Sequence, residues 1–155
     1  GGDVPAPVEA EIPSEPAVVP VPPASMSLSV QQPWIRLMPP GAPNTAGFMV
    51  LENADTHEHA VVSAAADIAK SVELHTHIEE DGRMKMRRLE KVLLAPKQRV
   101  ELKEGGHHVM FIGLTSELTE GQPVPVELTL EDGSDITVKV PVLREAPSQD
   151  AAIGH

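Results

Sequence analysis

Short apolar runs separated by turn residues occupy the chain from about residue 27 to residue 143, a pattern typical of β-structure. In two of these runs apolar side chains recur at every second position, so each set lies on one face of a strand. These positions are Val126, Leu128 and Leu130 in one run and Ile136, Val138 and Val140 in the other. The predicted strands are 47–51, 60–64, 72–74, 92–94, 109–114, 124–130 and 136–142.

Turn signals separate the predicted strands. Asp-Gly pairs at 81–82 and 132–133 favour the positive φ angles of tight hairpins. Glycines at 105–106 and 121 mark two further connections. A helix over 60–69 is the alternative for one segment, but its β-branched residues disfavour it. Many short strands with frequent turns therefore predict an antiparallel β-sandwich or barrel.

The two ends of the chain differ in composition from its middle. The first 25 residues carry seven prolines and four carboxylates but no Lys or Arg, so residues 1–26 are predicted to be a flexible acidic linker. Residues 27–143 are then a single domain, and residues 144–155 are predicted to be a loose tail. No apolar stretch approaches the roughly 20 residues that cross a bilayer. We expect an export signal or a membrane anchor to have preceded the linker.

Composition excludes several classes of function. The net charge of −11, from 12 basic and 23 acidic residues, argues against binding to nucleic acid or to anionic membranes. Aromatic residues make up only 2% of the chain, so the core must be aliphatic. Because there is no cysteine, disulfides, thiolate metal sites and cysteine nucleophiles are excluded. No phosphate-binding loop or nucleophile elbow is present, and we predict that the protein is not an enzyme.

Four residues suit one metal: His75, Met86, His108 and Met110. Two imidazoles and two thioethers form a soft, neutral set of ligands, and thioethers select Cu(I) over harder divalent ions. His108 and Met110 are two residues apart and would project from the same face of a strand. His75 and Met86 flank the predicted hairpin at 81–82. The sequence therefore predicts a Cu(I) site made by a hairpin and a neighbouring strand.

The spacing of these four residues resembles that of a known family, the periplasmic copper chaperones called PCuAC. Their signature is His, ten residues, Met, twenty-one residues, then His-x-Met. ELHTHIEEDGRMKMRRLE resembles its first half and ELKEGGHHVMFIGL its second, within a likeness over residues 27–143. The resemblance implies a cupredoxin-like, antiparallel Greek-key β-sandwich, expected to be monomeric and periplasmic. It also implies delivery of Cu(I) to cytochrome c oxidase, at its CuA centre or through a Sco-type partner.

Other histidines and methionines are weaker candidates. His77, Met84 and His107 lie within two residues of a predicted ligand. We interpret them as surface residues or as residues that contact the ligands without binding the metal. The His-Glu-His sequence at 57–59 could hold Cu(II) or Zn(II) weakly, but a solvated loop is the favoured interpretation. Met38 and Met49 lie in apolar segments and are predicted to be core residues.

Three other functions compete with copper delivery. A blue-copper electron carrier needs a cysteine thiolate, which the chain lacks. Copper storage or resistance needs the same ligands as delivery, so the sequence leaves it open. A β-sandwich interaction module would make the spacing accidental.

Overall fold

Ten β-strands form nearly all of the regular structure in the computed structural model, which describes residues 20–147. Most of the predicted linker 1–26 and of the predicted tail 144–155 lies outside the described residues. The strands are β1 Leu28–Arg36, β2 Asn44–Asn53, β3 His59–Ala65, β4 Ala69–Glu80, β5 Arg83–Leu89, β6 Val92–Leu94, β7 Arg99–Leu102, β8 His108–Leu114, β9 Pro123–Leu130 and β10 Asp135–Leu143. No helix in this part of the chain is long and apolar enough to cross a membrane.

The strands form two sheets, which are joined where the end of β1 pairs with the end of β10. The first has the order β5-β4-β8-β2-β1, with β7 also pairing with β2, and the second has the order β10-β9-β3-β6. Neighbours such as β2 and β8 are distant in sequence, as in a Greek key. The predicted all-β, cupredoxin-like fold class is confirmed. One pair departs from the expected antiparallel pattern, because the end of β1 runs parallel to β10.

The core lies between the sheets and is aliphatic, as the composition predicts. Val126, Leu128 and Leu130 are buried in the second sheet, and Val109 and Phe111 face them from the first. Segment 60–65, for which a helix was the alternative, is a strand because its apolar side chains pack into this core.

Gly47 allows β2 to approach Phe111 closely. A Cβ atom at Gly47 would lie 3.0 Å from Cε2 of Phe111. The ring of Phe111 therefore occupies the space that a side chain at position 47 would need.

Three strands are absent from the sequence-based prediction, and each has a physical reason. Strand β5 has no buried residue and owes its conformation to pairing with β4 across a two-residue turn. In this turn Asp81 and Gly82 both have positive φ angles, as their sequence predicts. Strand β1 contains a bulge at which Gln32 has positive φ, and this interruption hides its alternation. Strand β7 has only four residues, of which Leu102 alone is buried, so no apolar alternation marks it.

The end of the predicted linker packs against the domain. Ala24–Ser27 form a short 3-10 helix, and Ala24 is buried. The amide of Ala24 donates to Asp132 Oδ2 at 2.8 Å, and that of Ser25 donates to Ser134 Oγ at 3.0 Å. Residues just before the predicted boundary are thus in contact with the domain.

Candidate metal centre

Strand register explains why the four predicted ligands lie on the same outer face of the first sheet. The turn at 81–82 sets His77 opposite Met86, so Met86 is two positions out of register with His75. His108 lies directly opposite His75 on the other side of β4. Met110 is two residues further along β8, on the same face as His108. The structure therefore brings the four side chains to one patch, with the core on the other face of these strands.

One ring nitrogen of His108 is held and the other is free to bind. Nδ1 lies 3.0 Å from the carbonyl oxygen of Gly106, so Nδ1 carries the proton and Nε2 keeps its lone pair. The residue is only 3% exposed, and burial lowers the pKa of the imidazole. His108 is thus kept in the neutral form that a metal ligand requires.

His75 is also oriented by a hydrogen bond, but here a carboxylate holds the other ring nitrogen. Its Nε2 donates to Glu73 Oε1 at 2.8 Å, which leaves the lone pair on Nδ1. This Nδ1 is buried and has no hydrogen-bond partner among residues 20–147. A buried nitrogen that lacks a partner is costly unless a ligand takes it up. A histidine that donates its other N–H to a carboxylate is a common arrangement at metal sites.

An open cavity of about 450 Å³ lies over this face. Met86 and Met110 line it together with His108, and Phe48 is part of its wall. Met86 is 47% exposed, whereas His108 is nearly buried, so the site extends from the sheet to the solvent. Such a geometry gives a second molecule access to the thioether end.

Arg36 and Glu104 border the same cavity and form an ion pair. The guanidinium of Arg36 also lies over two rings, 5.8 Å from the centroid of Trp34 and 5.4 Å from that of Phe48. These contacts fix the wall opposite β5. No sequence pattern marks these residues as part of a site.

The residues next to the predicted ligands differ in position. His77 lines the cavity, and its ring centroid is 5.2 Å from that of His108. Met84 lies further out on the hairpin and is 61% exposed. His107 points away from the patch, because its Nδ1 is 2.9 Å from Oγ1 of Thr76 on the opposite face of β4.

The interpretation of Met38 as a core residue is wrong. Met38 follows the end of β1 and lines the cavity, because the chain leaves the sheet at this point. Met49 is 2% exposed and lies in the core, as predicted.

Both nitrogens of His59 are already used by carboxylates. Nδ1 lies 2.7 Å from Glu131 Oε2, and Nε2 lies 2.8 Å from Asp55 Oδ2. These bonds, that to Glu131 first, raise the pKa of His59. His57 contacts the same Asp55 and is otherwise exposed. The 57–59 sequence is thus a charged loop contact, and neither nitrogen of His59 has a lone pair left for a metal.

The donor set of the patch is selective in itself. Within residues 20–147, no group of three or more His, Asp or Glu side chains is arranged to hold a metal ion. A metal held at this patch therefore depends on methionine sulfur as well as on imidazole nitrogen.

The fold and the patch define a small β-sandwich with a soft-donor face, and comparison with known proteins gives its family. A family model described as "Putative lipoprotein LpqE-like" matches residues 28–142. The chain belongs to this LpqE-like family. It is 31% identical over 116 residues to putative lipoprotein Lxx21020 of Leifsonia xyli subsp. xyli, an alignment covering 74% of this chain and 69% of that protein.

Solved structures with a similar fold include two copper-bound proteins. One is the solution structure of CuI-DR1885 from Deinococcus radiodurans, with a TM-score of 0.63 and 28% identity, covering 78% of this chain and 81% of that one. The other is the copper-bound PCuAC domain from PmoF2, with a TM-score of 0.64 and 21% identity, covering 78% and 94%. The resemblance to PCuAC proteins is confirmed by these matches.

Proposed function

We propose that this protein is a metallochaperone that holds one Cu(I) ion with His75, Met86, His108 and Met110 and passes it to an acceptor protein. The observation that carries this proposal is the position of two imidazoles beside two thioethers on one sheet face. In each imidazole one nitrogen is held by a hydrogen bond, which leaves the other for the metal.

The chemistry of the donors supports copper in its reduced form. Cu(I) accepts neutral sulfur and nitrogen ligands and has no preference for a square plane, whereas Zn(II) and Cu(II) favour nitrogen and charged oxygen ligands. No cluster of imidazoles and carboxylates among the described residues offers such harder ions a site. The copper-bound state named for the Deinococcus protein, which is Cu(I), supports the same assignment.

The exposure of Met86 supports transfer by ligand exchange. A thiolate or imidazole of the acceptor can approach copper at the open end of the cavity, where Met86 is 47% exposed. The neutral thioether then leaves, and copper passes through an intermediate with ligands from both proteins. Copper stays Cu(I) throughout, so no electron donor is needed. The protein acts in this step as a carrier and not as an enzyme.

The envelope is the proposed location. The family and the Leifsonia relative carry the name lipoprotein, which supports an exported, membrane-associated protein acting in the periplasm of cells that have one. The acceptors that fit are copper proteins of this compartment, namely the CuA subunit of cytochrome c oxidase or a Sco-type protein.

A transfer assay tests delivery directly. The Cu(I)-loaded protein is mixed with an apo CuA fragment, the two are separated by ion exchange, and the copper in each is measured. We expect copper to move to the fragment, and to move at an unchanged rate from Met84→Leu, a matched variant on the same hairpin face. Retention of copper against a tighter-binding acceptor would refute delivery and favour a storage buffer.

A further inference from the structure

His77 occupies a position equivalent to that of His75 relative to His108 and Met86. His75 is directly opposite His108 and two positions out of register with Met86. His77 is directly opposite Met86 and two positions out of register with His108. Side chains directly opposite have Cβ atoms about 4.5–5.5 Å apart, and diagonal neighbours about 7–8 Å. Each histidine is therefore close to one of these two ligands and diagonal to the other, and Met110 lines the same cavity as His77.

Ring positions favour His77 on the cavity side and His75 behind it. The centroid of His77 is 5.2 Å from that of His108, and the centroid of His75 is 5.9 Å away. His77 lines the cavity together with Met86, Met110 and His108. His75 keeps its free Nδ1 buried and its Nε2 bonded to Glu73. The imidazole of His75 thus lies on the buried side of the site, and the imidazole of His77 faces its opening.

We propose that the site has two overlapping ligand sets, an inner set completed by His75 and an outer set completed by His77. His108 and the two thioethers are common to both sets. This inference rests on the proposed function, since it concerns how copper occupies the same patch.

The step between the sets is a simple ligand exchange. The lone pair of one His77 nitrogen forms a bond to Cu(I) while the bond to Nδ1 of His75 breaks. The proton on Nε2 of His75 stays in its hydrogen bond to Glu73, and the oxidation state does not change. Copper moves by this step from the buried side of the patch towards the exposed Met86, where an acceptor can reach it. The outer set is therefore the one from which copper leaves.

Variants of the two histidines test this proposal through Cu(I) affinity. Competition with a Cu(I) chelator such as bicinchoninate is measured for His75→Ala, His77→Ala and the double variant. We expect each single variant to bind one Cu(I) with affinity lowered by about tenfold or less, because the other imidazole replaces the lost one. The double variant should lose about 10- to 100-fold more than the two single losses combined, as expected for groups that share a partner.

X-ray absorption and transfer kinetics separate the roles of the two sets. Both single variants should retain nitrogen and sulfur neighbours around Cu(I), and His77→Ala alone should slow copper release to the chelator. His107→Ala is the matched control, because its ring lies on the other face of the sheet. If His75→Ala unfolds the domain, His75→Phe keeps the ring volume and serves instead.

Two failures are distinguishable. Loss of all Cu(I) binding in His75→Ala, with no change in affinity or release for His77→Ala, would overturn the two-set proposal and leave the chaperone function intact. Absence of Cu(I) binding by the unaltered protein would overturn the proposed function itself.

Discussion

The carboxylate of Glu73 is predicted to control how tightly copper is held, although it is not one of the proposed ligands. Its Oε1 accepts a hydrogen bond from Nε2 of His75 at 2.8 Å. This bond fixes the ring and keeps the Nδ1 lone pair directed away from Glu73. This bond, together with the nearby charge of Arg88, lowers the pKa of Glu73. Glu73 is therefore ionised at neutral pH and can hold the orientation of the ring that is proposed to bind the metal.

Replacing Glu73 should weaken copper binding by a defined amount. Loss of the partner of a ligating histidine lowers metal affinity by about 10- to 100-fold, or about 1.4–2.7 kcal/mol. Because His77 can replace His75, we expect the loss in Glu73→Ala to lie at the lower end of this range, at most about tenfold, in a chelator competition assay. The loss in Glu73→Gln should be smaller, because an amide oxygen can still accept the hydrogen bond. Glu79→Gln is the control, since Glu79 is exposed on the same face of β4.

The result that would refute this reasoning is equal affinity for the unaltered protein, Glu73→Ala and Glu79→Gln. Such a result would mean that His75 is oriented by other contacts or does not bind copper in the resting state. Copper bound through His77 alone would have the same effect, and the absorption spectra of the histidine variants would identify it.

Two further predictions concern the stability of the domain. Gly47→Ala should lower the free energy of unfolding by about 1–3 kcal/mol, because its Cβ would press on Phe111, and denaturant titration would show no change if the ring can shift freely. The pKa of His59 is raised by its bonds to Glu131 and Asp55, so its stabilising effect is complete below its unfolded pKa of about 6.5 and is lost as pH rises through the folded value. The loss of stability in His59→Gln should therefore shrink as pH is raised above 6.5, and a pH-independent difference would contradict it.

Much of the fold could be predicted from the sequence because burial imposes a pattern. Val126, Leu128 and Leu130 alternate with polar residues because one face of β9 meets the core. Strand β5 carries no such pattern, since both of its faces meet solvent and only pairing with β4 holds it extended. Met38 is apolar like Met49, but Pro39, Pro40 and Gly41 follow it directly, and this turn signal could have shown that the chain leaves the sheet there.

The sequence predicts that the candidate ligands lie together on one face of the sheet, but not which of their atoms are available to bind a metal. The two-residue spacing of His108 and Met110, and the hairpin signal at 81–82, were enough to bring the ligands together. The role of Glu73 could have been found, because a Glu-x-His sequence on a strand places both side chains on one face. Which ring nitrogen is free depends on contacts such as that between His108 and the Gly106 carbonyl, and no sequence pattern reports them.

Cu(I) titration followed by X-ray absorption tests the central claim most directly. We predict that the apo protein removes one equivalent of Cu(I) from a chelator and that its spectrum requires both nitrogen and sulfur neighbours. Met86→Leu and Met110→Leu should each reduce the sulfur contribution and weaken binding, whereas Met84→Leu should do neither. Copper coordinated by nitrogen alone, or no removal of Cu(I) from the chelator, would contradict the account.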